Sequence, residues 1–198
     1  MLKQLTATVA LILGGTPAWA DSRSDCVQGK NLDTSISGCT AIISQTPNAA
    51  WAYNNRGSAY RRKGDYDRAI ADYTKAIEID PKHISAYNNR GNAYHSKGDD
   101  DRAIADYTKA IEINAKHANA YNNRGNIYQH KGEYDRAISD YTKAIEIEPN
   151  ADRHKNRGDT YYKKGDKKQA IADYQRALAI DPANQAAKDS LKRAQAKP

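Results

Sequence analysis

Four glycines, Gly57, Gly91, Gly125 and Gly158, follow one another at steps of 34, 34 and 33 residues. Gly64, Gly98, Gly132 and Gly165 keep the same steps, as do Ala69, Ala103, Ala137 and Ala170. Pro47, Pro81, Pro149 and Pro182 mark the joints, with Ala115 in the remaining place. The one-residue deletion falls near Asn150, in a joint, where length changes are cheapest. A period of this length constrains the fold more than any other property of the chain. One such unit is too small to bury a core by itself, so the units must stack, and terminal units must be capped.

Each unit reads as two helices. In the second unit the pattern predicts a first helix over Ala86 to Lys97. "KGD" then stops it, because Gly tolerates the left-handed conformation that ends a helix. A second helix is predicted over Asp101 to Ile113, where Ala103, Ile104, Tyr107, Ala110 and Ile111 fall on one apolar face. "DP" or "EP" ends it, since Pro cannot continue a helix. Mean hydropathy is low, at -0.92, which in an aperiodic chain would signal disorder. Here the apolar residues return at fixed places and predict thin helical layers.

Tyr87, Gly91, Tyr94, Ala103, Tyr107 and Ala110 carry a resemblance to the tetratricopeptide repeat family, whose 34-residue helix–turn–helix unit reads W-x-x-L-G-x-x-Y, then A-x-x-x-F, then P. Tyr stands where that family often has Trp or Phe, and Arg56, Arg90, Arg124 and Arg157 stand at its Leu position. The fourth unit also departs at its head, with His154 in place of Tyr. The resemblance implies an all-α, right-handed α/α superhelical solenoid. The units are then 50–83, 84–117, 118–150 and 151–184. Residues 21–49 form a degenerate N-terminal half-repeat cap with a very short first helix, and 185–198 form a C-terminal capping helix.

Residues 1–20 read as a cleavable leader: Lys3, a short apolar run, and the small-x-small triplet Ala18 to Ala20. Cleavage after Ala20 and a periplasmic or secreted location are expected. The apolar run is too short for a stable membrane span. In an oxidising compartment Cys26 and Cys39 are candidates for a disulfide, worth on the order of 3 kcal/mol for a loop of this size. The rival reading, a catalytic thiol, lacks a companion signature. In the repeat register both cysteines replace core aromatics of one unit, where a small cap gains from a staple.

Formal net charge is +7. Residues 21–150 balance, with 18 basic and 18 acidic residues, whereas 151–198 hold 12 basic and 6 acidic. The C-terminal pole could therefore meet an acidic partner or simply be a solvated helical end. Lys163, Lys164, Lys167 and Lys168 cluster there, but nucleic acid is not an expected partner of an exported chain.

The segment "YNNRG" divides by helix angle, at roughly 100° per residue. Tyr87, Gly91 and Tyr94 share the packed face. Asn88, Asn89 and Asn92 lie on another stripe, where helix propensity gives no reason for Asn. Stacking aligns this stripe with Trp51, Asn54, Asn55 and Arg61 of the first unit, Asn122, Asn123 and Asn126 of the third, and Lys155 and Asn156 of the fourth. In the tetratricopeptide family the first helices line a concave groove that often takes extended peptides. The units also resemble the superhelical repeats of O-linked N-acetylglucosamine transferases, where groove asparagines grip a peptide backbone; Asn55, Asn89, Asn123 and Asn156 are similarly placed. A carboxamide both donates and accepts, which suits that task. The alternative is that these residues are simply solvated.

Arg56, Arg90, Arg124 and Arg157 lie at the flank of the packed face, and Asp72, Asp106, Asp140 and Asp173 each precede a second-helix Tyr. A repeated Arg–Asp bridge between the two helices is expected, fixing their register. No phosphate-binding loop, zinc-protease, serine-hydrolase or paired C-x-x-C motif is present, so neither an enzyme nor a cofactor is expected. His95 and His130 could approach one another across units, but two ligands fall short of a metal site. The reading is a non-enzymatic scaffold that binds a protein or extended peptide. Its alternative is an accessory adaptor of a cell-envelope peptidase or glycosyltransferase complex.

Overall fold

The computed structural model describes residues 18–196 and contains eleven helices among them. The predicted leader lies outside the described residues, except that Ala18 to Ala20 open the first helix. In chain order the helices are α1 (Ala18–Gln28), α2 (Leu32–Gln45), α3 (Ala50–Arg62), α4 (Tyr66–Ile79), α5 (Ile84–Ser96), α6 (Asp100–Ile113), α7 (Ala118–His130), α8 (Tyr134–Ile147), α9 (Ala151–Lys164), α10 (Lys167–Ile180) and α11 (Gln185–Gln195). Each helix packs on the next. The first helix of the second unit begins two residues earlier than its apolar pattern predicts, because His83 caps it at the joint.

Every break has a local cause. Gly64, Gly98, Gly132 and Gly165 take φ of +81°, +81°, +76° and +94° in the turn between paired helices, a region that favours glycine. The next residue is the N-cap of the following helix. The Asp65, Asp99 and Asp166 side chains accept from the backbone N–H of Arg68, Arg102 and Gln169, satisfying donors that a helix start leaves open. At two joints a histidine takes this part. His83 Nδ1 and His117 Nδ1 accept from the N–H groups of Ala86 and Ala120 at 3.3 and 3.2 Å.

The core is thin and repetitive. Tyr73, Tyr107, Tyr141 and Tyr174 are at most 1% exposed, with alanines around them. Each ring lies on the glycine of the partner helix. A Cβ at Gly57, Gly91 or Gly158 would stand 2.9, 2.7 or 2.8 Å from the ring, and one at Gly125 would stand 3.1 Å away. The glycine thus sets how closely the two helices of a unit approach.

The solenoid's curvature follows from helix spacing. Successive first helices touch, α3 with α5, α5 with α7 and α7 with α9, whereas among the described residues no two successive second helices come within the same 8 Å Cα separation. The first helices therefore line the inner face. At the N-terminal end, α1 and α2 form the cap. Its first helix has eleven residues, longer than the very short one the sequence implies, although Ala18 to Ala20 of it fall in the predicted leader. Cys26 and Cys39 are brought together with Cα atoms 4.4 Å and sulfurs 2.06 Å apart, packed with Ala49, Ala52 and Trp51. At the other end α11 buries Ala187, Ser190 and Ala194.

Ala in place of Gly normally stabilises a helix interior by about 1 kcal/mol. At Gly91 the ring contact outweighs that gain, so Gly91→Ala is expected to destabilise the protein by about 1–3 kcal/mol. Gly125→Ala, with the looser contact, should cost less. Urea unfolding of the two variants checks both the sign and the order.

Candidate functional site on the inner face

The asparagines of α3, α5, α7 and α9 are half-buried and run as a row from unit to unit. Asn89 Nδ2 donates to Asn54 Oδ1 at 3.0 Å, Asn123 Nδ2 to Asn88 Oδ1 at 3.2 Å, and Asn156 Nδ2 to Asn122 Oδ1 at 3.4 Å. Asn123 Nδ2 also lies 3.1 Å from Asn92 Oδ1. Asn55 heads the row. Its Oδ1 accepts from Asn54 Nδ2 at 3.4 Å.

A second row ties this face to the core. Tyr107 and Tyr141 hydroxyls donate to Asn92 Oδ1 and Asn126 Oδ1, both at 2.7 Å. Ser58 and Asp159 take the same part toward Tyr73 and Tyr174, at 3.2 and 2.8 Å. Burial raises the pKa of all four phenols, so they remain donors at neutral pH. The sequence gives Asn88, Asn89 and Asn92 no part in packing. The structure gives them one, because a buried hydroxyl needs an acceptor and stacked carboxamides find each other. The ladder engages one N–H of Asn89 and of Asn156 and both of Asn123, while each carboxamide also carries an acceptor oxygen.

The arginines form forks. Arg56, Arg90, Arg124 and Arg157 each donate through Nε and Nη2 to both oxygens of Asp72, Asp106, Asp140 and Asp173, at 2.7–2.8 Å. Two parallel bonds fix both partners' orientation. The third nitrogen, Nη1, reaches the preceding unit: Thr40, Thr74, Thr108 and Thr142 Oγ1 accept at 3.1, 3.0, 2.9 and 2.9 Å. Each arginine therefore holds three helices. The threonines recur with the repeat and were visible in that sense, but nothing in their spacing named the partner. In the fourth unit His154 Nδ1 lies 3.3 Å from Asp173 Oδ1. Burial opposes ionisation of Asp173, but Arg157, His154 and Arg176 outweigh it and hold the carboxyl below the usual range.

The remaining candidates are spread along the same face. Arg23 lies over the Trp51 ring, 5.3 Å from its centroid. Arg61 is half-buried, and its Nε has no hydrogen-bond partner among the described residues. Lys155 donates to Asp159 at 2.7 Å. His95 and His130 come within 6.2 Å, ring to ring, with His95 Nδ1 2.6 Å from Asp100. Among the described residues no three metal-ligating side chains gather.

The Arg90 and Asp106 side chains are only 17% and 8% exposed. Asp106→Asn leaves a guanidinium with little water and no counter-charge, and is expected to cost about 3 kcal/mol. Arg90→Leu together with Asp106→Leu should recover most of that loss, since an apolar pair of similar volume fills the site without desolvated charge. Equal losses in the single and double variants, measured by denaturant unfolding, would refute this account.

Comparison with known proteins agrees with this architecture. Family patterns described as "TPR repeat" match residues 57–98 and 91–132, and patterns described as "Tetratricopeptide repeat" match 39–71, 118–150 and 151–184. Together they run without a gap from residue 39 to residue 184. No curated protein sequence gives a significant match. Among solved structures, a crystal structure of MamA is 26% identical with a TM-score of 0.73, over 85% of this chain and 96% of that one. MamA 41-end from Desulfovibrio magneticus RS-1 is 18% identical with a TM-score of 0.74, over 84% and 95%. A thermophilic TPR protein of Thermus thermophilus, TTC0263, is 19% identical with a TM-score of 0.70, over 89% and 98%. The two likenesses below 25% speak for the fold alone. With the repeat patterns spanning most of its length and the helix pairs stacked as described, the chain belongs to the tetratricopeptide repeat family.

Proposed function

We propose that the chain is a non-enzymatic scaffold that binds an extended peptide segment of a partner protein along its inner face. The observation that carries this reading is the carboxamide row. Asn55, Asn89, Asn123 and Asn156 occupy the same place in each unit, half-buried on the face lined by first helices. A peptide backbone offers alternating N–H and C=O groups, and a row of carboxamides can pair with both whatever the side chains. The inter-unit bonds of Asn89, Asn123 and Asn156 fix those side chains beforehand, which lowers the ordering cost of binding.

The partner binds through Asn55, Asn89 and Asn123 in this reading, so their joint replacement by Ala should weaken it at least roughly tenfold, the equivalent of a hydrogen bond or two. A partner recovered with the parent chain and titrated by calorimetry against parent and triple variant gives the answer. Circular dichroism of the variant separates lost contacts from lost fold. Equal affinity for both would end the ladder reading.

The location belongs to the same proposal. We infer export, removal of residues 1–20, and oxidation of Cys26 with Cys39 in the mature protein. The proximity of the two sulfurs and the burial of both cysteines support the pairing. Intact mass of the exported protein should correspond to a chain starting at Asp21 with no free thiol. A chain that keeps the leader, or two thiols open to alkylation, would contradict it.

A further inference from the structure

The C-terminal end of the array departs from every junction before it. At each of those junctions a lysine at the end of a first helix donates to an aspartate in the first turn of the preceding second helix. Lys63 meets Asp33, Lys97 meets Asp67, Lys131 meets Asp101 and Lys164 meets Asp135. Lys168 stands at the next place in this series, so the last unit offers a cation where each earlier one offers a carboxylate. Helices α4, α6 and α8 carry acidic residues in their first turn, and α10 carries none. Cations there oppose the helix dipole, so the stability of α10 gives no reason for them.

The capping helix continues the departure. Asn184 accepts from the Ala187 N–H as His83 accepts from the Ala86 N–H, so α11 takes the place of a fifth first helix. In that register Ala187 and Ala194 match Ala86 and Ala93, and all four are buried. Lys188 and Lys192 fall where Tyr87 and Gly91 pack against the second helix of their unit. No such helix follows among the described residues, and both lysines are exposed. Of the sixteen lysines among the described residues, eight have a carboxylate within 4 Å. Five of the other eight are Lys163, Lys167, Lys168, Lys188 and Lys192. Their neighbouring carboxylates are otherwise engaged, Asp166 by the Gln169 N–H and Asp189 by Gln185.

We propose that this end of the solenoid rests on an anionic phospholipid surface, with Lys168, Lys188 and Lys192 toward the headgroups. Its composition does not suit a protein partner. Lysine is depleted where proteins meet, and aromatic anchors are enriched there. No aromatic residue follows Tyr174, and Ile180 is the one large apolar side chain exposed in this part of the chain. A fluid layer of phosphates needs no shape complementarity, and flexible ammonium groups can follow it. Each lysine near such a surface strengthens binding roughly fivefold, and the attraction fades within a Debye length. The inner face stays open in this arrangement, so the proposal stands apart from peptide binding.

Vesicle co-sedimentation of the full chain supplies the test, with phosphatidylcholine alone and with about a third phosphatidylglycerol. Binding to the anionic vesicles is expected to be at least roughly tenfold tighter, and ~0.5 M salt should remove the difference. Whatever residues 1–20 contribute is common to all variants and is read from the neutral vesicles. Lys168→Gln, Lys188→Gln and Lys192→Gln together, all exposed changes, should cost at least roughly tenfold on anionic vesicles. Lys30→Gln, Lys82→Gln and Lys116→Gln remove the same charge from exposed lysines elsewhere and should cost much less. Equal binding to both vesicles would overturn the proposal. Equal losses in the two triple variants would also overturn it, because net charge alone would then account for the binding. Capture on immobilised polyglutamate through the same three lysines, with no preference for anionic vesicles, would assign the face to an acidic protein instead.

Discussion

Everything in this array hangs on a tyrosine ring pressed against a bare backbone. In each unit the second-helix Tyr ring abuts the first-helix Gly, too close for a Cβ to fit comfortably. That contact sets the distance between the two helices, and the distance lets the phenol reach across to the far side of its partner. There its hydroxyl meets Ser58, Asn92, Asn126 or Asp159. The core therefore ends in a polar group that belongs to the inner face. Packing and recognition surface are joined by one side chain.

Between units the arginine fork has the corresponding role. Leu at this position would supply only apolar contact. Arg instead binds an aspartate of its own unit in bidentate fashion and a threonine of the unit before. Such a pair adds little net stability once desolvation is counted, but its geometry admits few alternatives. A thin core of Ala and Tyr offers much less shape specificity than one of Leu and Phe. The fork compensates by fixing the register of three helices at every junction. The carboxamide ladder adds a second set of bonds across the same junctions, on the inner side.

Much of this was legible in the residues. The period named the unit, the glycine turns placed the breaks, and the charge-matched Arg and Asp positions pointed to one another because both recur on facing helices. The inner-face stripe could be read by counting angles along α5. Other parts were not legible. Thr74 and Arg90 are 16 residues apart in sequence, in different units, and nothing in either residue type demands the other. Asn92 looked unexplained by packing because its partner, the Tyr107 hydroxyl, is on another helix. The length of the cap's first helix is not legible either, because its sequence has lost the repeat pattern while it keeps its packing on α2.

By itself, then, the sequence determined the helix pairs, their order, the stacking that a 34-residue period requires and the residues facing inward. These are local or periodic properties, set by helix geometry and by glycine and proline. The tertiary structure alone decided which carboxamide meets which, that the ladder crosses unit boundaries, and that Arg61 and Arg62 are left without a counter-charge among the described residues. Those facts depend on the angle and offset between neighbouring units. Angle and offset come from the sum of many weak side-chain contacts, and no single stretch of sequence encodes that sum.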